Sequence, residues 1–274
     1  MKYLKYFSLT FVIATLCLIT NVKASISDED YARLREIFSE YRLSIMSDEE
    51  LERLANGELK VQEKLYQWTE SINGTMTYVE VDPDLYVEIN PENSASNYST
   101  SIGTTYYESN YKRIQIIDSY VTNNLHYVMV YTQWLVTPAT KSFDVTAMRV
   151  EDATVVEGTQ DGTQTYWADG SYNSITYSPN GTNIRKQSNG FGISMNLVND
   201  ASYFETDISA DIKASNSNAT VYGTYQHAVT NVTLEQSHSY NISHNGFGSV
   251  LNFATGVRGY YDGMQGVYVE LGYY

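Results

Sequence analysis

Apolar positions along this chain recur at two different intervals, and the change from one to the other divides it. Tyr31, Leu34, Ile37, Phe38 and Tyr41 return every three or four residues and make one helical stripe. Ser27 precedes them with Asp30 three positions on, and Ser47 precedes Leu51 and Leu54 with Glu50 in the same place. A hydroxyl followed by an acid at that spacing is a helix N-terminus signature, and Asn56-Gly57 reads as a stop. Leu59, Val61, Leu65, Tyr66 and Trp68 read as a third short helix. The chain is therefore expected to carry an α-helical segment over residues 25–72, packed on the remainder of the chain.

From Asn73 onward the interval becomes two. Tyr78 to Val81 and Leu85 to Ile89 alternate about the turn Asp82-Pro83-Asp84. Pro91 to Tyr111, rich in Ser, Asn, Thr and Tyr, reads as a polar loop or linker over about 91–111. Short strands then succeed one another at close intervals up to the C-terminus. In Tyr203 to Ala214, Phe204, Ile208, Ala210 and Ile212 point one way, and Glu205, Asp207, Ser209, Asp211 and Lys213 the other. That predicts one buried face and one wet face. Leu125 to Val136 is apolar on both faces, as in a central strand covered on both sides, and the N-terminal helices could supply one cover. The expected fold is mainly β. It is an antiparallel β-sandwich of the jelly-roll or immunoglobulin-like class over residues 73–274, preceded by the short α-helical segment.

The stretches NGFGISMNLV, from Asn189, and NGFGSVLNFA, from Asn245, repeat one pattern. Asn-Gly tolerates positive φ and opens hairpins, so each copy reads as a turn that launches a strand, at two equivalent corners of the sandwich. No lysine stands where a phosphate loop needs one.

The N-terminus changes the picture of where the chain goes. Lys2 and Lys5 precede an apolar run from Tyr6 to Ile19, and Val22-Lys23-Ala24 fits a small-x-small cleavage site. Residues 1–24 are expected to be a secretory signal peptide, and the run is shorter than the roughly 20 apolar residues of a membrane span. The single cysteine, Cys17, lies within that leader, so the exported chain has no disulfide. Export without cysteine suits a bacterial extracellular protein. The formal net charge of −15 disfavours nucleic acid and anionic membrane surfaces as partners. No stable membrane insertion is expected after cleavage. An outer-membrane barrel fits poorly, because Glu270 and Gly272 share the face of the C-terminal Tyr274.

Catalytic chemistry has little footing. His126, His227, His238 and His244 match no metal-ligand spacing and read as partly exposed strand residues, so neither a metal nor a cofactor is expected. No nucleophile motif is present, and there is no cysteine to pair with a histidine. Glu80, Glu88, Glu151, Glu157, Glu205 and Glu270 lie on strands or their edges and could supply paired carboxylates. The remaining signal is a surface rich in tyrosine, with 26 tyrosines and 3 tryptophans in the chain. Between Gly158 and Ser174, Asp161-Gly162 and Asp169-Gly170 read as turns, with Tyr166, Trp167 and Tyr172 between or beside them. Aromatic faces beside carboxylates suit a sugar ring or a protein partner. The sequence favours a secreted bacterial protein that binds a glycan or a cell-surface protein without catalysis. The alternative is a secreted polysaccharide hydrolase using two carboxylates.

Overall fold

The computed structural model describes residues 26–56, 59–71, 76–81, 98–99, 104–122 and 124–272. The expected signal peptide, the strand Leu85 to Ile89 and Glu88 lie outside the described residues. Two compact units divide at Ala55 and Asn56.

The first unit is helical: α1 (Asp28–Arg35), α2 (Glu40–Ile45) and α3 (Asp48–Asn56). The Ser27 hydroxyl accepts from the Asp30 amide, and the Ser47 hydroxyl from the Glu50 amide at 3.1 Å, as the spacing predicts. A third cap interrupts the stripe from Tyr31 to Tyr41: Ser39 accepts from the Arg42 amide and splits it into two helices. Leu34, Phe38, Leu43, Met46, Leu51 and Leu54 are buried, and Arg42 pairs with Glu50 at 2.8 Å.

The second unit is β. Its strands are β1 (Leu59–Ser71), β2 (Met76–Val81), β3 (Tyr98–Ser99), β4 (Thr104–Thr122), β5 (Leu125–Trp134), β6 (Phe143–Glu151), β7 (Ala153–Val155) and β8 (Asp161–Ala168). Next come β9 (Ser171–Tyr177), β10 (Ile184–Gln187), β11 (Gly190–Asn196), β12 (Tyr203–Ala214) and β13 (Thr220–Gln226). After a helical turn α4 (Leu234–Ser237) come β14 (Tyr240–Phe247), β15 (Leu251–Phe253), α5 (Thr255–Arg258) and β16 (Val267–Glu270). The first sheet runs β2-β1-β4-β5-β12-β8-β9, with β3 on β4 and β7 on β12; the second runs β10-β11-β6-β13-β16. Among the described residues every strand pairing is antiparallel. The fold is the expected antiparallel sandwich with a few short helices.

The core fills the space between the sheets. Ile114, Ile116, Val128, Val130, Ile208 and Ile212 of the first sheet meet Met148, Phe191, Ile193, Met195 and Val221 of the second. The hairpin β14–β15 covers the opposite face of the second sheet, with Tyr240, Ile242 and Leu251 on Val145 and Ala147. β5 lies between β4 and β12 and is buried on both faces, as its double apolar pattern predicts.

Several expectations need correction. Leu59–Ser71 is a strand, not a helix, paired with β4 over most of its length. Apolar spacing there fits both periods, and long-range pairing decides between them. The helical segment therefore ends at Asn56. Within 91–111, Tyr98–Ser99 and the start of β4 are strand, not loop. Most of the second face of β12 is not wet: Glu205, Asp207, Ser209 and Asp211 are buried, and of the five residues expected there Lys213 alone is exposed.

The two Asn-Gly-Phe-Gly copies are not equivalent corners. In the first, Gly190 opens β11 after a turn, with φ 152°. In the second, Gly246 lies inside the end of β14, and the turn falls later, at Gly248 and Ser249, with φ 60° and 59°. The shared need is close backbone approach. A Cβ on Gly190 would sit 2.1 Å from the Met148 carbonyl oxygen, and one on Gly246 would sit 2.1 Å from the Leu251 carbonyl.

Candidate functional site

Two exposed aromatics, Trp167 and Tyr172, meet a third ring, Tyr203, at one register of the first sheet. Trp167 on β8 stands opposite Tyr172 on β9 and Tyr203 on β12, so the three side chains share a face across three adjacent strands. The indole meets the Tyr172 ring edge-on at 4.8 Å between centroids, and Tyr172 meets Tyr203 in the same way at 5.8 Å. Trp167 remains 38% exposed and Tyr172 39%, unusual for rings of this size in a chain that buries most of its large apolar groups. Tyr172 touches both other rings, so the side chains close into a compact group with Tyr172 at its centre.

The group is fixed from both ends. At the hairpin tip, Asp169 (φ 52°) and Gly170 (φ 75°) form the two-residue turn between Ala168 and Ser171. Positive φ at both positions matches the twist of the flanking strands. The Asn173 amide closes the turn by donating to the Ala168 and Ser171 carbonyls, at 3.3 and 3.1 Å. At the other end, Tyr203 donates to Glu205 and accepts from Gln133 Nε2 at 2.9 Å. Burial pushes the Tyr203 hydroxyl well above the ordinary tyrosine range, with Glu205 adding to the effect. It therefore stays a neutral donor.

The five residues singled out in sequence separate in space. Trp167, Tyr172 and Asp169 come together at the tip of β8–β9. Tyr166 points the other way and packs partly buried against the core. Asp161 opens β8, eight residues from Asp169, or about 25 Å along an extended chain. Asp161-Gly162 is strand, not turn; its carboxylate accepts from the Gly162 amide at 2.7 Å. Tyr203 joins the group from outside that stretch, and its alternation with the Glu205 face of β12 is the signal that could have pointed to it.

Two histidines also differ from expectation. His126 and His227 are buried, not partly exposed. His126 Nδ1 lies 2.8 Å from Asp118 and its Nε2 2.8 Å from the Gly272 carbonyl. His227 Nδ1 lies 3.0 Å from both oxygens of Asp144. His238 Nε2 meets the Asn183 carbonyl at 3.0 Å, and His244 is exposed. Among the described residues these contacts bind the rings into the fold.

Of the candidate acids, Glu205 is buried beneath Tyr203, and Glu157 pairs with Lys186 at 2.6 Å on the surface. Glu151 and Glu270 stand in one row of the second sheet, on either side of Thr220. Arg149, bonded to Glu151 at 2.7 Å, holds that carboxyl below its usual range. A carboxylate kept ionised in this way is a poor general acid.

Among the described residues no helix is long and apolar enough to cross a membrane. No known family model matches the chain, and no curated protein matches it in sequence. Among solved structures it is similar to the pilus backbone RrgB of Streptococcus pneumoniae, at 12% identity over 55% of this chain and 39% of that one, with a TM-score of 0.28. It is also similar to the C-terminal domain of the AgI/II polypeptide BspA of Streptococcus agalactiae, at 10% identity over 61% of this chain and 78% of that one, with a TM-score of 0.24. The chain thus spans about two fifths of the length of the pilus backbone structure, covering 39% of it. The fold class rests on the chain's own strand pairing.

Proposed function

We propose that this chain is an exported bacterial protein that binds a glycan or another cell-surface component without catalysis, through the face carrying Trp167 and Tyr172. The observation that carries this reading is the fixed, half-exposed group of rings Trp167–Tyr172–Tyr203 beside the Asp169 turn. Flat rings held in place by a hairpin lose little conformational freedom when a partner stacks on them, so contact area converts efficiently into affinity. The Asp169 carboxylate at the edge can accept hydrogen bonds from sugar hydroxyls. The leader-like N-terminus and the cysteine-free remainder support export.

The test is depletion from solution. The full chain is mixed with insoluble polysaccharides and with bacterial cell walls, and the protein left in the supernatant is measured. Loss on one polymer, abolished in Trp167→Ala, is the expected result. Full recovery from every polymer and every wall preparation would defeat this reading.

A further inference from the structure

At one end of the sandwich, between the sheets, lies a polar cluster that the aromatic group does not use. Lys112 of β4 points inward beside Trp134 of β5, its register partner. Its Nζ lies 2.6 Å from Oδ2 of Asp262, and neither side chain has any exposed surface. The same Nζ stands over the ring of Trp134 at 5.1 Å and that of Tyr225 at 4.8 Å. Asp262 belongs to the segment that leads into β16 of the second sheet, next to the isolated bridge between Ala228 and Tyr261 just past the end of β13. Its other oxygen, Oδ1, accepts from the backbone N–H of His227 at 3.2 Å. Trp134 donates to the Tyr225 hydroxyl, and Tyr225 donates to Asp144, whose carboxyl also meets His227. The amine and the carboxyl are thus clamped in a dry, aromatic-walled site.

We propose that Lys112 and Asp262 condense into an intramolecular amide, a covalent cross-link between residues 150 positions apart. The ion pair already holds every atom the step requires. One ammonium proton passes across the short contact to Asp262 Oδ2. The free amine attacks Cγ while the His227 N–H stabilises charge on Oδ1. The C–Oδ2 bond then breaks, the nitrogen gives up a second proton, and Oδ2 departs as water. Lys-NH₃⁺ and Asp-COO⁻ become one amide and one water, with no oxidant, reductant or added reagent.

Three features favour the step over a permanent ion pair. Two charges without solvent are costly to bury, and condensation replaces them with a neutral amide. Held in contact, the groups react with the advantage of an intramolecular reaction, which reaches effective molarities of about 10⁵ M or more in well-oriented systems. Burial also pushes the Lys112 amine below its ordinary range, against the pull of Asp262 and Asp144, and so favours the nucleophilic form. The product would join β4 of the first sheet to the strand-leading segment of the second.

Intact-mass spectrometry of the full chain, denatured after N-terminal sequencing has fixed its first residue, tests this directly. The expected mass is one water below that calculated from the sequence. Proteolysis should yield a branched peptide joining the segments of Lys112 and Asp262. Lys112→Arg and Asp262→Ala should each show the full mass, folded or not. A full mass for the unaltered chain would overturn the proposal. So would a lost water with no branched peptide, since cyclisation at Asp161-Gly162, Asp169-Gly170 or Asp262-Gly263 loses the same mass without joining two segments.

Discussion

The indole Nε1 of Trp134 donates to the hydroxyl of Tyr225 at 2.9 Å, a bond that crosses from the first sheet to the second inside the sandwich. Tyr225 passes the interaction on to Asp144, which also accepts from the Ala228 amide at 2.8 Å and meets His227. One buried carboxyl thus satisfies several donors that water cannot reach. Asp144→Ala should cost about 3 kcal/mol or more, because it removes at one stroke the buried bonds to Tyr225, His227 and the Ala228 amide, whereas Trp134→Phe, which removes the bond to Tyr225, should cost about 1 kcal/mol before any packing loss. Urea denaturation of the two variants checks the order; equal midpoints would contradict it.

The two glycines of the repeated motif should be intolerant for the same steric reason in different settings. Gly190→Ala and Gly246→Ala each place a methyl 2.1 Å from backbone atoms of a neighbouring segment. Backbone cannot rotate away as a side chain can, so each variant should lose about 2 kcal/mol or more. Gly256→Ala, where a Cβ would meet nothing within 4 Å, is the control and should melt near the parent temperature. A parental melting temperature for the first two would refute the account of the motif.

Stability should fail on the alkaline side in a defined window. Burial pushes the Tyr177 hydroxyl from its ordinary value of 10.0 up to about 12, and it pushes those of Tyr131, Tyr203, Tyr240 and Tyr261 well above that ordinary value too. The folded state therefore favours the neutral phenols. Their contribution is fully present below pH 10 and is lost as pH rises through about 12 and beyond. Absorbance titration should show the exposed tyrosines ionising first, with these five ionising only as circular dichroism reports unfolding. Their ionisation in the still-folded chain near pH 10 would contradict the burial assigned to them.

Much of the architecture is legible in sequence because local pattern and tertiary demand agree. Phe204, Ile208 and Ile212 alternate along β12 and face the core, and the double apolar face of β5 places it centrally. The capping serines Ser27 and Ser47 mark helix starts by their own chemistry. Where pattern misleads, the deciding contact is distant. Leu59–Ser71 becomes a strand because β4 pairs with it. Glu205 and Asp207 look solvated in sequence, yet the fold buries the face they share. The aromatic site is half visible: Trp167 and Tyr172 flank a recognisable Asp-Gly turn, while Tyr203 joins them only through strand pairing. Lys112 and Asp262 have no local signal at all, because nothing in either neighbourhood encodes the other.

The most direct measurement of the central claim compares binding isotherms of three folded proteins on the same insoluble polymer or cell wall: the parent chain, Trp167→Ala and Tyr268→Ala. Tyr268 is 46% exposed but lies on the second sheet, away from the group, so it controls for loss of any surface aromatic. The account predicts that Trp167→Ala loses at least tenfold in affinity, about 1.4 kcal/mol, while Tyr268→Ala binds as the parent does. Equal binding by parent and Trp167→Ala, or equal loss in both variants, would contradict it.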